Sequence, residues 1–134
     1  MSTQVDTTHL EQVAERYFAA WARRDPDAIV QLHTEDTQFW AHGSGDPVVG
    51  REAVRETFAS IFELFPEFGF EAYRVLYGPG FWVLDWALTA RLHGRPVRFD
   101  ALDVVTVDPD GLVVRKDTFV DHAQMQAALD PAAA

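Results

Sequence analysis

Apolar residues recur every three or four positions at Leu10, Val13, Ala14, Tyr17, Phe18 and Trp21, the spacing of one buried helix face. Thr8 with Glu11 predicts a capping box at the start of this helix, which stops near Arg23-Arg24. Asp25-Pro26 predicts the N-cap and first residue of a second, shorter helix carrying Ile29, Leu32 and His33. A short strand, T-Q-F-W-A-H, and the loop G-S-G-D-P follow. The third helix carries Val54, Phe58, Ile61, Phe62 and Phe65 and ends at Pro66. Three strand runs come next, Phe68 to Tyr77, Phe81 to Leu92 and Val97 to Val107, divided by G-P-G and H-G-R-P turns. The loop D-P-D-G leads into a fourth run, L-V-V-R-K-D-T-F, and Asp121 caps a last short helix with Met125 and Leu129.

Helices first and antiparallel strands afterwards predict an α+β domain. Its expected form is a cone-shaped α+β barrel. A curved, mostly antiparallel sheet and three N-terminal helices enclose an apolar pocket. The whole chain, 1–134, reads as one domain with its core over about 8–129 and flexible termini. Trp21, Phe39, Phe58, Phe62 and Trp86 are expected to face inward, either as core filling or as the lining of a small-molecule pocket.

Composition narrows the functions. A formal charge of −10 argues against nucleic acid and anionic membrane surfaces, which attract basic patches. No apolar stretch reaches transmembrane length, and M-S-T-Q-V-D-T-T lacks the regions of a signal peptide, so a cytoplasmic location is expected. With no cysteine, thiol chemistry and thiolate metal sites are excluded. No metal-ligand spacing, Gly-rich phosphate loop or G-x-S-x-G stands in the chain, and no cofactor or metal is expected.

Within the strand R-F-D-A-L-D-V-V-T-V, Asp103 alternates with Phe99, Ala101, Val105 and Val107 and so falls on the apolar face. A lone buried carboxylate is costly, and groups with such shifted titration concentrate at functional sites. The alternative is an ion pair. If Val107 pairs with Leu112, Asp103 stands opposite Lys116, the only lysine of the chain; a one-residue bulge would carry Lys116 to the other face. Tyr17 shares the inward stripe of the first helix, where its hydroxyl needs a partner. His42, next to Trp40 at the end of the first strand, and His33, on the second helix, have the intrinsic pKa of a base. Strict alternation places His42 opposite to Phe39, while Asp85 and Asp117 fall on the outer face of their strands.

The strings R-Y-F-A-A-W-A-R-R-D-P-D-A-I-V, F-W-A-H, G-R-E-A-V-R, H-G-R-P and D-G-L-V-V-R-K-D-T-F-V-D, in this order, resemble the nuclear-transport-factor-like or SnoaL-like superfamily over nearly the whole chain. The closest polar match is to its ketosteroid isomerase branch. There a tyrosine after an arginine, as Tyr17 follows Arg16, joins an aspartic acid kept neutral by an apolar site, as Asp103 follows Gly94 by nine residues. The resemblance implies that these two donors would hold an enolate oxygen. The branch's general base aligns with Ala41, so His42 or His33 would move the proton. The epoxide hydrolase branch would place its polar positions at Thr118, at Trp86 or Asp85, and at Phe39, without its water-activating set. The implied activity is isomerisation, cyclisation or dehydration of an apolar, steroid- or polyketide-like carbonyl compound, catalysed by Tyr17, Asp103 and His42 without a cofactor. Trp21, His33, Phe39, Trp40, Phe58, Phe62, Trp86, Lys116 and Thr118 would bind the substrate. The alternative is a non-catalytic pocket or dimerising scaffold. A homodimer is expected from the resemblance and from the mixed outer face bearing Val83, Ala87, Leu102 and Val104.

Overall fold

Helix α1 (Thr7–Ala22) buries the stripe that its sequence predicts: Leu10, Val13, Ala14, Tyr17 and Trp21 are inside and Phe18 is half-buried, and Ala20 is sealed beside them. The computed structural model describes residues 7–130; the chain ends expected to be flexible lie outside them. Thr8 falls inside α1, one residue past its first, so the predicted Thr8–Glu11 capping box does not form the helix start.

Helix α2 (Pro26–Val30) begins as predicted, with the Asp25 carboxylate accepting the Ala28 N–H and Pro26 in the first turn. It is shorter than expected. His33 opens strand β1 (His33–Ala41) rather than ending α2. The Leu32 carbonyl accepts the Val113 N–H at 2.8 Å, so pairing with the C-terminal part of the sheet captures the chain before another helical turn. A two-residue strand missed by the hydropathy pattern, β2 (Val48–Val49), pairs antiparallel with β1, and α3 (Arg51–Leu64) follows.

Strands β3 (Gly69–Gly78), β4 (Phe81–Leu92), β5 (Arg95–Val107) and β6 (Val113–Val120) form an antiparallel meander, and α4 (His122–Leu129) closes the described chain. Strand β1 joins β6 in parallel, giving a curved, open six-stranded sheet in the order β2-β1-β6-β5-β4-β3. Its inner face meets the helices through Tyr17, Phe58, Trp82 and Phe99, each essentially sealed from solvent. Full burial of such side chains contributes roughly 1.5–3 kcal/mol apiece.

The β5–β6 hairpin decides what stands beside Asp103. Its loop turns at Gly111 (φ +84), with the Asp108 carboxylate accepting the N–H groups of Asp110 and Leu112. A Cβ on Gly111 would come within 3.0 Å of the Val13 side chain, so only glycine lets α1 approach this closely. Val107 pairs with Val113, not Leu112, and Val114 is then bulged out, so that Thr106 pairs with Arg115. Two one-residue displacements restore the face. Lys116 stays on the inside but opposite Val105, and Thr118 takes the place opposite Asp103.

Candidate active site

Between the inner sheet face and helices α1, α3 and α4 lies a cavity of about 220 Å³, lined almost wholly by apolar side chains. Of the residues expected to line it, Trp21, Phe39, Trp86, Lys116 and Thr118 do, as do Tyr17 and Asp103. Others do not. Phe58 packs behind the wall against Trp21 and Phe39, with ring centroids 4.8 and 5.1 Å away, and Phe62 packs on Trp21 and Phe68. Trp40 points to the opposite sheet face, and His33 lies behind Tyr17. Sequence reasoning missed Trp82, which alternates inward with Leu84 and Trp86 along β4 and was legible from that period.

The polar floor of this cavity is an ion pair. Lys116 Nζ lies 3.3 Å from Asp103 Oδ2, and Thr118 Oγ1 donates to Asp103 Oδ1 at 2.8 Å. Asp103 is 2% exposed and Lys116 5%. The pair is diagonal across the strands, a separation a lysine side chain spans easily. Of the two alternatives that the sequence leaves open for Asp103, a lone buried carboxyl or an ion pair with Lys116, the ion pair is the one found. That ammonium also lies 4.2 Å from the ring centroid of Trp21, 5.1 Å from that of Tyr17 and 5.9 Å from that of Phe58. Burial pulls the Lys116 pKa down, but Asp103 and Tyr17 outweigh it and hold the group above the usual lysine value.

Tyr17 sits beside this pair. Burial raises its phenol above the ordinary value, partly offset by the Lys116 charge. Its hydroxyl oxygen is 2.9 Å from His33 Nε2, and His33 Nδ1 is 2.8 Å from Thr37 Oγ1. Burial, then the charges of Lys116 and Arg51, lower the His33 pKa to about 3, so the imidazole is neutral near pH 7. Arg51 Nη2 donates to the His33 carbonyl at 2.8 Å and pins the start of β1. Thr37 has no sequence signal that marks it.

His42 is not brought to this floor. It borders the cavity, but its ring is stacked between Trp40 and Phe119 at 4.0 Å on each side, and its Nε2 is 2.8 Å from Asp117 Oδ1. Arg115 grips the same carboxylate through Nε at 2.8 Å and Nη2 at 3.0 Å. Asp85 and Asp117 stand on the outer face as the alternation predicts, each paired with an arginine. Ala41 lines the cavity with a methyl group. The indole N–H groups of Trp82 and Trp86 are buried without an acceptor among the described residues. Among the described residues no three His, Cys, Asp or Glu side chains converge as metal ligands, and no helix is long and apolar enough to cross a membrane.

Residues 14–116 match the family model of the SnoaL-like domain. Among solved structures, the epoxide hydrolase/cyclase-like enzyme SalBIII, described in pyran ring formation in the polyether salinomycin, is 25% identical with a TM-score of 0.79, covering 89% of this chain and 95% of its own. A protein of Jannaschia sp. CCS1 described as a candidate SnoaL-like polyketide cyclase is 22% identical with a TM-score of 0.80, covering 92% and 93%. No curated protein matches the chain.

Proposed function

The chain belongs to the SnoaL-like domain family, and from that premise we propose that it is a cofactor-independent enzyme acting on an apolar, oxygen-bearing small molecule of polyketide- or steroid-like character. Cyclisation is the first choice of reaction, with isomerisation or dehydration by the same chemistry. The observation that carries this reading is the Asp103–Lys116 pair opening into an otherwise apolar cavity. Fold alone would not choose among the family's activities, so the argument rests on these groups.

A carboxylate facing an ammonium accepts hydrogen bonds rather than donating them. The oxyanion-holding role expected of Asp103 therefore passes to Lys116, with Tyr17 as its companion donor. Asp103 takes the proton that His42 was expected to move. In the proposed step an Asp103 oxygen removes a proton from the carbon next to a carbonyl. The C–H electron pair moves into the carbonyl, and the oxyanion settles between the Lys116 ammonium and the Tyr17 hydroxyl. Such preorganised donors act most strongly where water is excluded. The enolate carbon then attacks a second carbonyl carbon of the substrate to close a ring, the C=O pair moving onto that oxygen, which takes the proton from Asp103. Alternatively the enolate regains the proton at another carbon, or expels a neighbouring hydroxyl as water with that proton. The likeness to SalBIII favours ring closure.

Proton exchange tests this directly. Incubated with 1-tetralone in D₂O, the wild type should accelerate deuterium uptake at the α-carbon, and Asp103→Asn and Tyr17→Phe should each reduce the enzymatic rate by about 10²-fold or more. A second reading, a binding pocket without catalysis, is favoured by Ala41 and by the satisfied ion pair. Binding of tetralone with no exchange above buffer would establish that reading instead. We also propose a homodimer, since Tyr73, Leu76 and Phe119 are exposed on the outer sheet face; a monomer in sedimentation at micromolar concentration would refute it.

A further inference from the structure

The chain Tyr17–His33–Thr37 has three protons and only two hydrogen bonds to hold them. The phenol, the neutral imidazole and the threonine hydroxyl each bring one, and the bonds run from Tyr17 to Nε2 and from Nδ1 to Thr37. Whichever way the chain is directed, one end keeps an unbonded proton. The two ends are unequal. Thr37 is sealed from solvent and is not part of the cavity wall; its carbonyl accepts the Gly50 N–H, but its hydroxyl has no hydrogen bond other than that to His33 among the described residues. A hydroxyl proton stranded there, sealed from solvent, has no acceptor among the described residues. Tyr17 lines the cavity, where a ligand oxygen can accept its proton.

We propose that Thr37 donates to His33 Nδ1, that His33 is thereby held as its Nε2–H tautomer and donates to the Tyr17 oxygen, and that the phenolic proton is turned into the cavity. His33 is then a positioning residue acting through Tyr17, and Thr37 sets its tautomer. The burial that keeps the imidazole neutral leaves it one N–H, so the tautomer decides the direction of the whole chain. An oxygen that accepts a bond from His33 is also a better donor in turn, because linked hydrogen bonds polarise one another. The inference rests on the reading of Tyr17 as an oxyanion donor, and it adds the two residues that aim it.

Protein labelled with ¹⁵N-histidine reads the tautomer without any substrate. At pH 7, long-range proton–nitrogen correlations for His33 should show a protonated Nε2 and a bare Nδ1. Thr37→Val should release that preference and weaken binding of the 2-naphtholate anion, followed by fluorescence, by roughly three- to tenfold. Thr37→Ser, which keeps the hydroxyl, should restore both. A protonated Nδ1 in the wild type overturns the proposal, as does a Thr37→Val protein with unchanged tautomer and unchanged affinity. A wild type that shows Nε2–H yet binds 2-naphtholate no better than Tyr17→Phe sinks the oxyanion role of Tyr17, while the tautomer assignment stands.

Discussion

Adjacent cations of strand β6, Arg115 and Lys116, each hold an aspartate, and the two pairs have opposite characters. On its inner face Lys116 holds Asp103 across the sheet, with side chains 7% and 3% exposed. On its outer face Arg115 holds Asp117 within the strand, with side chains 40% and 13% exposed, beneath the ring of Trp40 and beside His42. The residue types are alike and the distances similar; burial separates them. Water screens the outer pair and replaces either partner when it is lost. The inner pair has no such substitute, so Lys116 relies on Asp103 to offset its burial. The same contrast divides the histidines: His33 is sealed and held neutral, whereas His42 reaches water and binds a carboxylate. Chemistry is expected on the side where charge is expensive, because a substrate entering there meets groups that water does not already satisfy.

The sharpest way to break the comparison is to remove one partner of the inner pair. Lys116→Met should destabilise the fold by about 3–5 kcal/mol in urea denaturation, since it strands the Asp103 charge. The double variant Asp103→Leu/Lys116→Met should recover most of that loss while abolishing proton exchange. If the double variant is no more stable than the single one, the carboxylate was never the source of the cost. A smaller effect is expected at Thr118. Thr118→Val keeps its shape but deletes the 2.8 Å hydrogen bond to Asp103, a loss of about 1.5–3 kcal/mol for a bond to a charged group.

Acid tests the burial of His33. Burial depresses the His33 pKa from 6.5 to about 3, so between those values the unfolded chain binds a proton that the folded one excludes. Stability from this residue is full above pH 6.5 and falls as pH drops toward 3, by at most about 1.4 kcal/mol per pH unit. Lys116 adds nothing to this window. Its raised pKa means that its contribution is complete below 10.5 and is lost only as pH rises through the folded value. His33→Gln should therefore flatten the acid limb of a stability–pH curve relative to wild type, the carboxylates common to both cancelling in the difference. Equal slopes would show that the imidazole is protonated in the fold.

Most of the fold was legible because its signals are local. The 81–92 run was read with the bounds the structure gives β4, and the Asp25 and Asp121 caps follow from single residues at helix starts. His33 was misplaced because it continues the apolar spacing of α2, while a distant strand, through Val113, ends that helix. Within the site, period alone placed Tyr17, Trp21, Phe39, Trp86 and Asp103 on the cavity wall. It did not distinguish wall from backing, so Phe58 and Phe62 were assigned to the lining when they support it. The neighbour of Asp103 was beyond reach for a different reason. The bulge at Val114 leaves no trace in V-V-R-K, and it shifts the register by a second step that returns Lys116 to the inner face. Thr37 was silent because a threonine in a strand is ordinary until its hydroxyl is seen against an imidazole.

The smallest expected effect lies on the outer face, and it sharpens the comparison most finely. Arg115→Ala removes two hydrogen bonds to Asp117 and the cation stacked over Trp40 at 5.5 Å. Despite that count, the loss should be only about 0.2–1 kcal/mol, because a partly exposed pair gains little over its hydrated parts. The difference should shrink further in about 1 M salt, where charges more than roughly 3 Å apart are screened. Burial does oppose the Asp117 charge, but hydrogen bonds from Arg115 and His42 outweigh it and lower its pKa. Either of those two donors alone keeps the carboxylate satisfied. A loss well above 2 kcal/mol would mean that water does not reach this face in solution. Its dependence on protein concentration would then show whether a second copy covers Phe119 and Trp40, because stability shared with a partner falls on dilution and stability within one chain does not.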